Sequence, residues 1–138
     1  VINIENTNFR YMDTGIFTDD IDIVTVDVSF ISLKYILPKI VEISHESTDI
    51  VILIKPQFEA GKENIGKKGI VKDKKVHLEI LNNLYNYCKD NNFNLINIDY
   101  SPIKGTEGNI EYIAHLRITG ISNEFNFKDL INKAFEIL

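Results

Sequence analysis

Three residues of this sequence are placed to do chemistry together: Asp27 and Lys55, which close apolar runs, and Glu111, which stands at the start of one. An amine between two carboxylates can handle a proton. If it gives up its own charge it can take the proton of a weak hydroxyl nucleophile, and if it stays charged it stabilises the oxyanion that forms. In open α/β sheets ligands bind beyond the carboxyl ends of the strands. Asp27 closes the run at 21–27 and Lys55 closes the run at 48–54, whereas Glu111 stands at the start of the run near 110–118. The three converge if that last strand is antiparallel to the others, because its beginning then shares their rim. On spacing alone the plainer reading is the commoner one: Asp27 as a helix cap, Lys55 as a solvated strand end, and Glu111 as half of an ion pair. Ser29 is expected to cap the following helix rather than react, since no neighbouring histidine activates it. Phe58 and Tyr112 are expected to pack, with stacking on a base as the alternative.

The elements that must position these residues follow from periodicity. Val1–Ile4 reads as a short strand followed by a polar turn at 5–8. Ile21–Val28 reads as a strand. Phe30, Leu33, Ile36, Leu37, Ile40, Val41 and Ile43 then recur at helical spacing, with Pro38 expected in a first turn rather than a helix interior. Thr48–Ile54 is a second buried strand, and a long loop with Gly61, Gly66 and Gly69 follows. Asp73 caps a predicted helix through about Cys88, with Leu81, Leu84 or Tyr85, and Cys88 facing inward and His77 on its surface. Phe93–Tyr100 and Ile110–Ile118 read as strands, and Phe127, Leu130, Ile131, Ala134, Phe135 and Leu138 mark a final amphipathic helix capped by Asn126. Strands alternating with helices predict an α/β sheet, parallel in its early strands, with helices on both faces.

Composition sets limits around this reading. With 138 residues, 44% hydrophobic and 25% charged, the chain is one domain of ordinary globular makeup, which excludes disordered and fibrous classes. The single cysteine, Cys88, excludes a disulfide framework and a cysteine metal site, and His45, His77 and His115 are isolated, so no metal is expected. A reducing, cytoplasmic setting fits. No apolar run approaches the ~20 residues of a membrane span, and no secretory signal is read at the start. The net charge of −5 is uneven: residues 55–75 carry 7 basic and 3 acidic side chains, while 1–54 carry 3 and 9. Lys62, Lys67, Lys68 and Lys72 in that basic island are the candidates for holding a phosphate backbone; a solvated lysine-rich loop is the plain alternative.

Five blocks of the sequence resemble, in order, those of one family. They are Glu5-Asn6-Thr7-Asn8-Phe9-Arg10, Asp27-Val28-Ser29-Phe30-Ile31-Ser32-Leu33, Ile54-Lys55-Pro56-Gln57-Phe58-Glu59, Gly66-Lys67-Lys68-Gly69-Ile70-Val71 and Gly108-Asn109-Ile110-Glu111-Tyr112. The chain is identified by them as similar to the haemolysin-A (TlyA)/FtsJ-like RNA 2′-O-ribose methyltransferases. The resemblance implies a Rossmann-like class I methyltransferase sheet that uses S-adenosyl-L-methionine to methylate cytidine ribose in ribosomal RNA. It also implies a Lys-Asp-Lys-Glu constellation whose last three members are Asp27, Lys55 and Glu111, with Asp27 also holding the cofactor. Asn8 could contact adenine, although a turn asparagine is commoner. The match begins at the family's third strand, so residues 1–138 are expected to be the C-terminal portion of a methyltransferase domain. The first lysine, the glycine-rich cofactor loop and the S4-type RNA-binding domain have no match, so this chain alone is expected to be inactive or nearly so. Two other functions compete: membrane lysis, suggested by the family's haemolysin label, and RNA or ribosome binding without catalysis.

Overall fold

The computed structural model describes all residues, Val1–Leu138. Four strands form one sheet: β1 (Ile23–Val26), β2 (Asp49–Ile54), β3 (Asn94–Tyr100) and β4 (Tyr112–Arg117), in the order β1-β2-β4-β3. β1 lies parallel to β2, with Ile23 opposite Asp49. β4 runs antiparallel to both neighbours, with Ile54 opposite Tyr112 on one side and Tyr100 opposite Tyr112 on the other. The expected antiparallel last strand is therefore present. Four helices complete the chain: α1 (Leu37–Ile43), the single turn α2 (Pro56–Glu59), α3 (Lys74–Asp90) and α4 (Phe127–Ile137).

The helix termini follow their sequence signals. Pro38 sits in the first turn of α1, Asp73 accepts a hydrogen bond from the Lys75 N–H to cap α3, and Asn126 accepts one from the Asp129 N–H to cap α4. Phe127, Ile131 and Ala134, at i, i+4 and i+7, are the buried residues of α4. They join Ile50, Ile52, Ile54, Ala114 and Leu116 of the sheet, Leu37 and Ile40 of α1, and Ile80, Leu81 and Cys88 of α3 in one core. Leu84 and Tyr85 pack against its edge.

Three expectations need correction. The helices cover one face of this sheet, not both. Side chains pointing the other way, Ile23, Thr25, Val51, Leu53 and Ile113, are half-buried or exposed, because no element among these residues packs over them. Asp49 lies on that open face, where the Arg117 guanidinium at 2.7 Å and then His115 at 2.8 Å hold its carboxyl below the usual carboxylate range. Val1–Ile4 forms no strand and is exposed, having no strand partner within the chain. His77 is not on the surface of α3; it is wholly buried.

The surroundings of His77 fix its tautomer. Its Nε2 is 2.8 Å from the Val71 carbonyl, which can only accept, so Nε2 carries the proton and Nδ1 accepts from the Tyr112 hydroxyl at 2.8 Å. This pair pins α3 to the first residue of β4, next to Glu111. Burial holds the His77 pKa below its ordinary 6.5. A base lowered in this way is protonated first in the unfolded chain, so its contribution is complete above the unfolded value and is lost as pH falls through the folded one. Thermal midpoints are expected to drop from about pH 7 towards about pH 5, and His77→Gln should flatten that drop. An identical slope in the variant would contradict this assignment.

Candidate functional site

The site is built where β1 and β2 end and β4 begins. Asp27 directly follows β1 and Lys55 directly follows β2. Because Ile54 faces Tyr112, the next step of the antiparallel ladder sets Lys55 beside Glu111. All three also have the parity of the open sheet face, since Ile52 and Tyr112 point to the helices. The Glu111 carbonyl accepts from the Ser101 N–H at 2.8 Å, which extends the β3–β4 pairing to this rim.

Asp27 and Lys55 are in direct contact. Lys55 Nζ lies 2.5 Å from Asp27 Oδ1, and it donates to Ser29 Oγ at 3.3 Å. The lysine side chain is 14% exposed and the aspartate 68%, so the cation is recessed behind an accessible carboxylate. Ser29 therefore serves Lys55 and does not cap a helix as expected; Ser32 does the capping, at the 3₁₀ turn Leu33–Tyr35. Asp27 is not a cap either.

Glu111 shares the rim without pairing with Lys55. It is 5% exposed, and its Oε2 accepts from Gln57 Nε2 at 2.9 Å. Gly105 packs so closely that a methyl group there would overlap the carboxylate. α2 makes this arrangement possible. One helical turn begun by Pro56 sends Gln57 towards β4 and Glu59 back towards the loop after β1. There Glu59 accepts from Ser32 Oγ at 2.6 Å and from the Leu33 N–H at 2.8 Å. Burial raises the Glu59 pKa in spite of these donors. Neither role is signalled by spacing, since both depend on partners distant in the chain.

The loop after β1 carries a further feature with no sequence signal. Phe30 adopts φ 63°, a left-handed conformation that costs a residue with a side chain roughly 1–3 kcal/mol, and its ring is 90% exposed. It leans on Phe58 with ring centroids 5.0 Å apart. Tyr112, by contrast, is core. Asn8 caps the 3₁₀ turn Phe9–Tyr11 by accepting from the Arg10 N–H. The neighbouring Phe9, with Val26, Asp27, Val28 and Ile36, lines an apolar cavity of about 510 Å³ along the free edge of β1.

Lys67, Lys68 and Lys72 line a second cavity, of about 520 Å³, at the start of α3, and Lys62 is exposed just before it. Their loop is tied to the Glu111 turn by Asn109, which is buried. Asn109 Oδ1 accepts from the Val71 N–H at 3.0 Å, and its Nδ2 donates to the carbonyls of Gly69 and Thr106 at 2.8 and 3.0 Å.

Known proteins resemble the chain over most of its length. A family model described as FtsJ-like methyltransferase matches residues 1–118. The chain belongs to the FtsJ-like methyltransferase family. Among its relatives, "Hemolysin A" of Brachyspira hyodysenteriae is 43% identical over 86% of this chain and 50% of its own length. The "16S/23S rRNA (cytidine-2'-O)-methyltransferase TlyA" of Mycobacterium tuberculosis is 34% identical over 85% of this chain and 44% of its own. A solved structure named "Putative hemolysin from Streptococcus thermophilus" superposes with a TM-score of 0.87 at 38% identity, covering 95% of this chain and 49% of that one. The chain spans about half the length of the curated relatives it matches.

The Asn109 latch is testable through stability. Asn109→Ala leaves the buried Val71 N–H without a partner and should cost about 1–3 kcal/mol in urea unfolding. A loss below about 0.5 kcal/mol, the lower bound for a typical net hydrogen bond, would show that the loop is held in other ways.

Proposed function

We propose that the whole protein is an S-adenosyl-L-methionine-dependent 2′-O-methyltransferase acting on cytidine ribose of ribosomal RNA in the cytoplasm, and that residues 1–138 are the C-terminal portion of its methyltransferase domain. The observation that carries this reading is the Lys55–Asp27 pair at 2.5 Å, on the same strand-end rim as Glu111, in a chain of this family. Supporting it, relatives named as methyltransferases of rRNA cytidine match most of the chain.

The residues present suit the cofactor. The 510 Å³ cavity is mostly apolar, with the Asp27 carboxylate among its lining, which suits an adenosyl group and a cationic amino-acid end. When bound, that group supplies an electrophilic methyl on a sulfonium that carries its own leaving group. Asn8, next to Phe9 at this cavity, is the proposed adenine contact.

The chain's residues then have to handle the ribose hydroxyl, a poor nucleophile near neutral pH. While charged, Lys55 would stabilise the developing oxyanion; as the free amine it would take the hydroxyl proton as the hydroxyl attacks, the methyl donor supplying its own leaving group. The ammonium so formed is stabilised by Asp27 at the observed separation. Glu111 orients the hydroxyl from the other side of Lys55. Lys62, Lys67, Lys68 and Lys72 hold the RNA backbone, and the exposed ring of Phe30 offers a face on which a base can stack.

The relatives named haemolysin point to a second reading. No helix here is long and apolar enough to cross a membrane, and the recessed cation–carboxylate pair favours group transfer. Leakage of liposomes on adding the purified chain would restore the lytic reading.

Methyl transfer from labelled S-adenosylmethionine to ribosomal subunits should be shown by the whole protein and fall about 10²–10⁴-fold in Lys55→Ala with folding intact. Full activity in that variant would remove Lys55 from the mechanism. Replacing Lys67, Lys68 and Lys72 by Gln should weaken RNA binding and lower its salt dependence by roughly one unit of slope for each phosphate no longer neutralised. An unchanged slope would place the RNA elsewhere. In calorimetry the isolated 138-residue chain should bind S-adenosylmethionine poorly; tight binding would contradict the proposed division of the domain.

A further inference from the structure

Glu111 has a single side-chain partner, Gln57, and Gln57 is 8% exposed. The other end of that amide, Oε1, is shielded from solvent and bonded to nothing. A buried carbonyl oxygen without a donor works against stability. The side chain is therefore held in place for what its nitrogen does.

We propose that Gln57 is a positioning residue for methyl transfer: its amide holds one oxygen of the Glu111 carboxylate and leaves the other, Oε1, aimed for the reacting ribose. This rests on the methyltransferase reading above. An ionised carboxylate only accepts, so Nε2 must face it, and an amide keeps this donor at every pH at which an enzyme works. The clamp has two sides. Gly105 packs against the carboxylate, while Glu59, two residues further along α2, anchors that turn to Ser32 and Leu33. Glu111 Oε1 has no hydrogen-bond partner and is not shut off from solvent. Gln57 thus touches no reacting atom itself; it fixes where Glu111 points.

The test uses the whole protein, ribosomal subunits and S-adenosylmethionine, with kcat, KM and the pH–rate profile measured for wild type, Gln57→Met and Gln57→Glu. Gln57→Met keeps the volume and removes the donor; kcat is expected to fall about 10–100-fold while KM for RNA stays within about two-fold. Gln57→Glu sets two carboxylates in contact. Such a pair retains a proton to higher pH, so the acid limb of its profile is expected to move upward. A purely structural role would lower the melting midpoint without moving that limb. Wild-type kcat and pH profile in both variants would overturn the proposal, as would failure of both to fold, which would assign Gln57 to structure. A wild-type protein that transfers no methyl group would overturn the underlying reading as well, and that outcome is distinct from an active wild type with indifferent variants.

Discussion

The pairing of β4 against β2 is the constraint on which the rest of this structure depends. Ile54 opposite Tyr112 places Lys55 and Glu111 opposite each other on the next rung of that ladder, although they are far apart along the chain. A slip of one residue would turn the alternate side chains of β4 to the opposite face, putting Tyr112 and Ala114 in the open and Glu111 into the core. The core forbids that slip. Tyr112, Ala114 and Leu116 are fully buried beneath the helices, and the Tyr112 hydroxyl is committed to His77. Fully burying a large apolar side chain contributes about 1.5–3 kcal/mol, so the register is fixed by several such terms at once. The position of the polar rim is thus inherited from the packing of the opposite face.

A second consequence concerns charge. The chain is acidic overall, yet its lysines crowd a loop that Asn109 fastens to the turn preceding Glu111. The basic loop and the turn before the buried glutamate are tied together, since Asn109 satisfies three backbone groups with one side chain. A polyanion held by Lys67 and Lys68 would be presented to the rim at a defined distance.

Much of this was legible in the sequence because it is local. Strand ends marked by Asp27 and Lys55, the cap at Asp73, and the 127, 131, 134 stripe of α4 each need only a short window to be read. The antiparallel sense of β4 was also legible, through the odd placement of Glu111 at the start of its run. Long-range pairings were not. Gln57 meeting Glu111, Glu59 meeting Ser32, and His77 turning inward to Tyr112 are choices among partners that periodicity cannot name. Val1–Ile4 has the composition of a strand but lacks a neighbour to pair with, and composition cannot supply one. The open sheet face was missed for a related reason: Val51 and Leu53 are as apolar as the core residues beside them, so the β2 run reads as buried on both sides.

The most direct test asks whether Lys55 and Glu111 act as one unit at the shared rim. Methyl transfer by the whole protein would be measured for Lys55→Ala, Glu111→Gln and the double variant. Residues serving one step are strongly non-additive, so the double variant is predicted to be about as slow as the slower single variant. Losses that simply multiply would mean that the two side chains work independently, and the common site inferred from the β2–β4 register would be wrong.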